Sequence, residues 1–377
     1  MNRKKLRSIV FYLHGSIGFF VGLLLIVIGL TGSLLVFEQD FDKWMITRQY
    51  GIITPQHKQL SPESVLNIIE AKYAARDSLH LFRIYVPDSP SSPYIGQFSS
   101  ANDIRTEVFI HPYTGKIMGE RIWDHTLIGM ILNLHYSLMS GETGTVIVGV
   151  AAFLMCLLCI SGLILWPGWR KLMTGFKIKL NAHRQRANFD IHKVAGIVTV
   201  VFLFLTGFTG FCWNFNVTEP IYAATFSKQP SEPVSKLIPG KSPLGLTEQL
   251  KIAQAALPTA VTKSIYFPGK PVDALRIRMK LPEEGEDNDN SSVYLDSYTG
   301  EVLRVENAFK IPLGSRVLNY FVLLHYGTFG GLPTRILYVF VGLAPLILFV
   351  TGLMMYWYRY WNKPRIGERS IELSHKL

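Results

Sequence analysis

Four long apolar runs, separated by mixed and polar segments, dominate the pattern of the chain. The first and third are copies of one another: shifting residues 189–215 back by 178 positions lays them over residues 11–37 without a gap, so that His192 falls on His14. Each run is long enough and poor enough in charge to cross a bilayer as a helix. The pattern therefore predicts an α-helical integral membrane protein with four transmembrane helices in two pseudo-repeats.

Each of these two copies places a histidine in its first turns and small residues on the same helical face. An ionisable side chain inside a membrane segment is costly, which favours a functional role over a hydrogen bond to a headgroup or a carbonyl. A bulky flat group held by the imidazole is expected to lie against this face. In the first copy the face consists of His14, Gly18, Gly22, Leu25, Gly29 and Gly32.

The two long polar segments each predict one helix laid on a small antiparallel sheet. In the first segment, Ser61-Pro62 is a helix-start signal, and strands are expected at 79–86, 94–98 and 106–110. The second segment repeats this order and shares a Tyr-Thr-Gly turn with the first, at 113–115 and 298–300. The chain should therefore carry two small α+β domains.

Two shorter uncharged segments precede the second and fourth apolar runs and end in His135-Tyr136 and His325-Tyr326. Both are too short to span a bilayer, so we expect them to lie in or dip into the interface. Gly162 and Gly352 follow the two histidines at the same distance. The residue after the tyrosine is Ser137 in the first copy and Gly327 in the second. The close backbone approach that glycine allows is therefore expected after His325 only.

The positive charge is concentrated in three segments. Residues 1–8, 167–193 and 359–377 carry sixteen Lys and Arg against three Asp and Glu, whereas the rest of the chain sums to a charge of −2. This is the positive-inside pattern, which argues against nucleic acid as a partner and places both termini in the cytoplasm and the two small domains outside it. Residues 1–8 precede an apolar run that is too long for a cleaved signal peptide.

The predicted order along the chain is as follows: an anchor and first transmembrane helix (1–37), an outer domain (38–125), an interfacial segment and second transmembrane helix (126–166), a basic cytoplasmic loop (167–189), a third transmembrane helix (190–215), a second outer domain (216–312), an interfacial segment and fourth transmembrane helix (313–358), and a cytoplasmic tail (359–377).

This topology pairs the histidines. His14 and His192 begin the two outgoing helices and lie toward the cytoplasm, whereas His135 and His325 precede the two ingoing helices and lie toward the outer side. Two imidazoles fill both axial positions of a haem iron and favour electron transfer over oxygen chemistry. Zinc prefers three or four ligands, and a proton relay would need carboxylates within the spans. The pattern predicts two non-covalent b-type haems, since no Cys-x-x-Cys-His occurs.

The remaining cysteines, histidines and acidic residues are weaker candidates for a functional site. Cys156, Cys159 and Cys212 are expected to be apolar packing residues. His111 is expected to be structural, in place of the aspartate (Asp296) found in the other copy, and His125 is an open candidate for an outer ligand or proton donor. The acidic run 283–289 is read as a solvated hairpin tip. His57, His80, His183 and His375 are expected to be solvated.

Together these motifs resemble the PepSY-associated transmembrane helix family of iron-regulated bacterial inner-membrane proteins. They are the His-x3-Gly and Thr-Gly of the first and third runs, the Leu-His-Tyr-Gly before the fourth, the Gly-Leu-x-x-Trp that ends the second, and the two Tyr-Thr-Gly turns. The resemblance implies PepSY-like periplasmic domains and is greatest to the ferrioxamine-type ferric-siderophore reductases. It implies two haem b groups held by His14, His192, His135 and His325, and a ferric siderophore as substrate.

Other interpretations stay open. A siderophore or haem permease would need a polar midplane site, for which Pro345 is the hint. A sensor anchor would leave the four histidines unexplained, and a quinone-linked cytochrome is a further alternative. A cytoplasmic flavin reductase and the quinol pool are both compatible electron donors. Aromatic residues near the expected outer site are Trp44, Trp123, Tyr136, Tyr320 and Tyr326.

Overall fold

The computed structural model describes residues 2–73, 76, 78–100, 104–220, 231–284 and 291–360. The predicted tail beyond residue 360, most of the acidic run 283–289 and residues 221–230 of the second predicted outer domain lie outside these residues. The chain divides into two compact units. The membrane unit comprises Met1–Val36, Ile131–Thr218 and Phe321–Leu377; the sheet unit comprises Phe37–Met130 and Glu219–Tyr320.

The described helices and strands follow one another in this order. The helices are α1 (Arg3–Leu35), α2 (Glu38–Tyr50), α3 (Pro62–Tyr73), α4 (Leu127–Ser137), α5 (Gly141–Leu165), α6 (Leu172–Phe176), α7 (Arg184–Asn214), α8 (Leu246–Ala256), α9 (Leu313–Tyr326) and α10 (Leu332–Tyr360). The strands are β1 (Leu79–Tyr85), β2 (Tyr94–Ser100), β3 (Arg105–Ile110), β4 (Ile117–Ile122), β5 (Val261–Tyr266), β6 (Leu275–Lys280), β7 (Ser291–Leu295) and β8 (Val302–Glu306).

Four of the described helices are long and apolar enough to cross a membrane: α1, α5, α7 and α10. The prediction of four membrane helices is therefore confirmed. In the membrane unit α1 packs against α5 and α10, and α7 packs against the same two helices. The predicted interfacial segments are the short helices α4 and α9, each ending shortly after its histidine.

Small residues let α1 and α10 approach closely. A Cβ atom at Gly29 would clash with the carbonyl oxygen of Gly342, and one at Gly22 would clash with the ring of Phe349. Ser33 donates a hydrogen bond to the carbonyl of Val339 (2.9 Å). Gly22 and Gly29 thus serve helix packing, as small residues commonly do in membranes, and the expectation that the whole glycine face receives a flat group is corrected for these two positions.

The third membrane helix begins earlier than expected, at Arg184, where the His183 side chain accepts from the backbone N–H of Gln185. Asp190 and Lys193 consequently lie inside the helix. Asp190 is fully buried and Lys193 is nearly so, and 2.7 Å separates Lys193 Nζ from Asp190 Oδ1. Lys193 also donates to the carbonyls of Thr174 and Lys177. This ion pair, missed by sequence reasoning, fixes the basic loop against the start of α7.

The sheet unit differs from the expected pair of separate domains at 38–125 and 216–312. All eight strands form one antiparallel sheet in the order β4-β3-β2-β1-β5-β6-β7-β8. Strands β1 and β5 join the halves, with Ile84 opposite Ile265. An unpaired edge strand is an aggregation hazard, and pairing the two edges removes it. Leu66, Val86 and Phe267 pack against the cores of both halves.

Each half nevertheless has the predicted helix laid on an antiparallel sheet, α3 in the first half and α8 in the second, and a fourth strand, β4 or β8, is added to the three expected. The first half also contains α2, which was not predicted. The Ser61 hydroxyl caps α3 by accepting from the backbone N–H of Ser64 (3.1 Å), as the sequence predicts. The two Tyr-Thr-Gly turns share their hydrogen bonds: His111 Nδ1 accepts from the backbone N–H groups of residues 113 and 114, and Asp296 Oδ1 from those of 298 and 299. His111 therefore has the structural role expected of it.

Candidate haem-binding histidine pairs

The inner pair consists of His14 on α1 and His192 on α7. Their ring centroids lie 6.4 Å apart, with 83° between the ring planes. Both rings are half-buried between helices of the membrane unit. The internal repeat places the two histidines at equivalent positions of α1 and α7, and the packing of these helices on α5 and α10 brings them together.

The outer pair consists of His135 at the end of α4 and His325 at the end of α9. Their ring centroids lie 6.1 Å apart, with 74° between the planes. The structure thus brings together the two pairs that the topology predicts. In the described residues there is no group of three or more His, Cys, Asp and Glu suited to a metal ion, which argues against a zinc-type site.

Each of the four rings has its Nδ1 atom next to a hydroxyl group. The distances are 2.8 Å from His14 to Ser161, 3.1 Å from His135 to Thr31, 2.9 Å from His192 to Thr351 and 2.8 Å from His325 to Thr209. In all four cases the hydroxyl belongs to a membrane helix and the residue after it is glycine. The arrangement is therefore one motif used four times.

The direction of these hydrogen bonds follows from the hydroxyl protons. The four hydroxyls donate to the backbone carbonyls of Leu157, Val27, Ile347 and Leu205, each four residues earlier on its helix. At His135 the Nδ1 atom also lies 2.9 Å from the carbonyl oxygen of Ile28, which can only accept, so Nδ1 carries the hydrogen there. Hydroxyls whose protons go to helix carbonyls accept from the other three histidines in the same way. The Nε2 atom is then unprotonated and available to a metal. This is the usual way in which an outer hydrogen bond orients a ligating imidazole.

The glycine that follows each hydroxyl residue lies beside the Cε1 atom of the histidine ring. A Cβ atom at Gly32 would lie 3.0 Å from Cε1 of His135, and the corresponding distances are 3.3 Å from Gly162 to His14, 3.4 Å from Gly210 to His325 and 3.6 Å from Gly352 to His192. A side chain at Gly32 would force the ring to shift. A Cβ atom at Gly162 would also be tight, whereas one at Gly210 or Gly352 would make ordinary van der Waals contact.

The expected difference between His135-Tyr-Ser and His325-Tyr-Gly is present. Gly327 has a φ of 73° and lies against Tyr338, whose ring would clash with a Cβ atom there. Ser137 instead stays in α4 and donates to the carbonyl of Asn133 (2.8 Å), while Leu138 and Met139 take the positive φ values. The two copies make the turn after the histidine with different residues.

The distances between the paired rings fit a metal ion held between them, as in haem, better than a direct hydrogen bond from one imidazole to the other. Two imidazoles on opposite sides of one metal ion, each bound at about 2 Å, have ring centroids roughly 6 Å apart, close to the 6.4 and 6.1 Å found here. One turn after each inner histidine, a Cβ atom at Gly18 or Gly196 would meet only a leucine methyl, at 3.7 Å in both cases. These glycines clear the helix surface beside the inner pair, as a flat macrocycle requires.

The two pairs lie near opposite ends of the membrane helices. On α1, Thr31, which contacts His135, comes seventeen residues after His14, and on α7, Thr209 comes seventeen residues after His192. At 1.5 Å per residue, this is about 25 Å along the helix axis. Because the hydrocarbon core of a bilayer is about 30 Å thick, one pair lies toward each face.

Sequence reasoning missed three contributors to these sites. Ser161 and Thr351 could have been found as the second pair of hydroxyl-glycine dipeptides, since Thr31-Gly32 and Thr209-Gly210 were already evident. Trp213 lies against His325 with 4.8 Å between ring centroids. It follows Thr209 by four residues and so shares its helical face.

Of the other aromatic candidates, Tyr326 lies next to the outer pair, with 6.0 Å between its ring centroid and that of His325. Trp123 is buried in the sheet unit, while Trp44, Tyr136, Tyr320 and Tyr326 are exposed. His125 is exposed and lines a surface pocket with Asp42 and Arg121. The three cysteines are free and buried, as expected of packing residues.

The fold and the paired histidines define an integral membrane protein with soluble α+β parts, and the comparisons with known proteins name its family. The model of the PepSY-associated TM region matches residues 11–359, so the chain belongs to that family. An uncharacterized protein of Pseudomonas aeruginosa is 36% identical over 84 residues, which are 22% of this chain and 21% of the relative. The match thus covers about a fifth of that relative's length.

Proposed function

We propose that this protein is an inner-membrane dihaem oxidoreductase that passes electrons across the bilayer to ferric siderophore iron in the periplasm. One observation carries the proposal: two histidine pairs, one toward each end of the membrane helices, in which every imidazole is oriented by a hydroxyl so that Nε2 is free. Four such ligands in two pairs suit two b-type haems.

In this proposal His14 and His192 hold the inner haem, and His135 and His325 hold the outer one. Haem ligated by two histidines supplies one-electron transfer without an open position for oxygen. The four hydroxyls keep the imidazoles in the ligating tautomer, and the Trp213 ring packs against His325 at a tilt of 54°. The apolar helices keep water from the path between the pairs.

Charge supports the orientation that we propose. The basic segments around residues 1–8 and 167–193 belong on the cytoplasmic side, which puts the inner pair near the cytoplasm and the sheet unit in the periplasm. The matching hydroxyl-glycine motifs and the matching turns at His111 and Asp296 support an origin of the two halves by duplication. The two sheet halves would then be the PepSY-like domains implied by the resemblance.

The choice of substrate depends on the family resemblance and on coordination chemistry. Siderophore oxygens are hard ligands suited to ferric iron, and the softer ferrous ion is bound less tightly, so reduction releases the metal. The electron enters at the inner pair from a cytoplasmic flavin reductase or from quinol. It leaves from the outer pair to the ferric ion, which becomes ferrous.

The permease alternative is weakened by the membrane helices. Pro345 lies inside α10, which continues without a break from Leu332 to Tyr360, whereas transporter sites are typically built on broken helices. The sensor alternative gives no role to the histidine pairs. We therefore retain the reductase.

The absorption spectrum of the purified protein tests this proposal. We expect two haems per chain, released by acid solvent extraction because they are not covalently bound, with low-spin six-coordinate spectra. His57→Ala, a change at an exposed position outside both pairs, should leave both haems in place and is the matched control. A ratio of one or zero haem in carefully prepared protein would contradict the dihaem proposal.

A further inference from the structure

One row of polar side chains crosses all eight strands on the face of the sheet that is turned away from α3 and α8. Alternate residues of a strand point to opposite faces, and the neighbours Ile84, Val108, Ile265 and Ile277 belong to the cores beneath the two helices. The strand registers place the members of the row opposite one another in this order: Arg121, Glu107, Gln97, Arg83, Tyr266, Arg276, Tyr294 and Arg304.

The half of the row on β2 to β4 is internally neutralised. Arg121 donates two 2.8 Å hydrogen bonds to the carboxylate of Asp42 on α2 and others to Glu107. Gln97 donates to Glu107 and accepts from Arg83. Helix α2 also lies here, with Tyr50 against Phe109. This half offers little to a charged ligand.

The described strand residues of the other half carry more cations than carboxylates. Alternate residues of β6 add two more positive side chains to the same face, and among the strand residues of β5 to β8 the carboxylate on it is Glu306. Glu306 pairs with its neighbour Arg304 (3.2 Å). The positive side chains of this half of the face are Arg83, Arg276, Arg278, Lys280 and Arg304.

Guanidinium groups alternate with tyrosine rings along this half. Arg83 lies 5.0 Å and Arg276 5.3 Å from the ring centroid of Tyr266, and Arg304 lies 4.5 Å from that of Tyr294. Ser292 accepts from Nε of Arg276, while no described residue accepts from its two terminal nitrogens. Stacking on tyrosine holds the guanidiniums flat and in place before any ligand arrives.

The electrostatic effect is visible at Tyr266. Burial would raise its pKa, but Arg83 and Arg278 outweigh burial and lower it. Tyr294 shifts the other way, since burial and Glu306 raise its pKa against the effect of the arginines. The guanidiniums of Arg83 and Arg278 therefore act electrostatically on Tyr266.

We infer that this arginine-tyrosine face binds the ferric chelate and selects chelates with a net negative charge, such as those with catecholate, phenolate or carboxylate donors. The inference rests on the proposed function and names its substrate class. Guanidinium forks match paired anionic oxygens, and a positive surface concentrates polyanions. A neutral hydroxamate chelate would gain nothing from these charges.

Equilibrium dialysis of the oxidised full-length protein in uncharged detergent tests the inference. The probes are a trianionic ferric tris-catecholate and a neutral ferric tris-hydroxamate. The double variant Arg276→Gln/Arg278→Gln should bind the tris-catecholate about tenfold more weakly, the result of losing two charge-assisted contacts, and should not change hydroxamate binding. Lys72→Gln/Lys251→Gln removes two exposed charges from α3 and α8 on the opposite face and should have no effect.

Unchanged tris-catecholate affinity in the arginine variant would overturn the inference. The inference would also be overturned if the double variant lost its binding to phosphatidylglycerol vesicles but kept its binding to the chelate. The face would then be a lipid contact. If the double variant does not fold, judged by its circular dichroism spectrum, the charge-retaining Arg276→Lys/Arg278→Lys should still prefer the tris-catecholate to the hydroxamate, with a lower affinity because lysine lacks the guanidinium fork. Loss of that preference would contradict the inference. For the natural chain, the affinity for the tris-catecholate should fall as salt is raised from a low to a physiological concentration, and an unchanged affinity would contradict the inference.

These outcomes are separable from the proposed function. Binding is measured on oxidised protein without an electron donor, so it does not require reduction. Haem-free protein that binds the tris-catecholate through Arg276 and Arg278 would remove the reductase proposal and leave the binding face. Dihaem protein that reduces ferric chelates, but whose chelate binding is unchanged by both arginine substitutions, would remove the binding face and leave the reductase proposal.

Discussion

Thr209 Oγ1 lies 2.8 Å from Nδ1 of His325 and donates its own proton to the carbonyl of Leu205. The imidazole therefore donates at Nδ1, which leaves Nε2 free to bind a metal. A hydroxyl placed in this way sets both the tautomer and the orientation of the imidazole.

Thr209→Val should loosen the outer haem. The substitution keeps the shape of the side chain and removes the hydrogen bond, and loss of such an outer partner typically costs 10- to 100-fold in metal affinity. We expect haem loss to a competing apoprotein to accelerate by about that factor for one of the two haems. Thr206→Val is the matched control, since Thr206 lies on the same helix and its hydroxyl donates to Phe202 and Leu203 instead. Equal haem retention in both variants would contradict this role.

The histidine pairs predict which haems are lost together. His14→Ala and His192→Ala should each remove the inner haem, and His135→Ala and His325→Ala the outer one, because each haem needs both of its axial ligands. Haem content with the spectrum of the remaining haem measures this. If His14→Ala and His135→Ala removed a common haem, the assignment of pairs would be wrong.

Much of this architecture follows from the sequence because its signals are local or repeated. The membrane helices, the strands, and the turns at His111 and Asp296 all depend on short-range patterns. The single sheet could not be predicted, since pairing of β1 with β5 depends on edges that are far apart in sequence. The packing role of Gly22 and Gly29 was missed for a related reason: a glycine beside a ligand and a glycine beside another helix look alike until the partner helix is known.

Asp296 is expected to stabilise the sheet unit in a pH-dependent way. Burial would raise its pKa, but the backbone N–H groups of Lys236, Thr299 and Tyr298 outweigh burial and lower it. The stabilisation is therefore fully present above the unfolded carboxyl pKa of about 3.9 and is lost as the pH falls through the lower folded value.

Asp296→Ala should accordingly cost about 1–3 kcal/mol at neutral pH, since it leaves buried donors without their acceptor. The difference from the natural chain should shrink at pH values below 4. Thermal unfolding followed by near-ultraviolet circular dichroism measures both effects. Glu248→Gln, at an exposed position of α8, should change neither. A difference that stayed constant down to pH 2 would show that the charge of Asp296 does not matter.

The proposed orientation predicts opposite results from reporters in two loops. A reporter fused after Gly175 should register the cytoplasm, because the surrounding loop is basic. One inserted at Gly240, an exposed turn with a φ of 76°, should register the periplasm. The reverse pattern would place the sheet unit in the cytoplasm and exclude periplasmic siderophores as substrates.

Anaerobic reoxidation of the reduced protein by ferric siderophore tests the central claim most directly. After reduction with dithionite, both haems should reoxidise as ferrous iron appears. His325→Ala should abolish the transfer, and His192→Ala should leave the outer haem able to discharge once, because a polar chelate cannot enter the hydrocarbon and reaches only the outer pair. Reduced haems that ferric siderophore leaves untouched, while a quinone reoxidises them, would contradict the account and indicate a quinone-linked cytochrome.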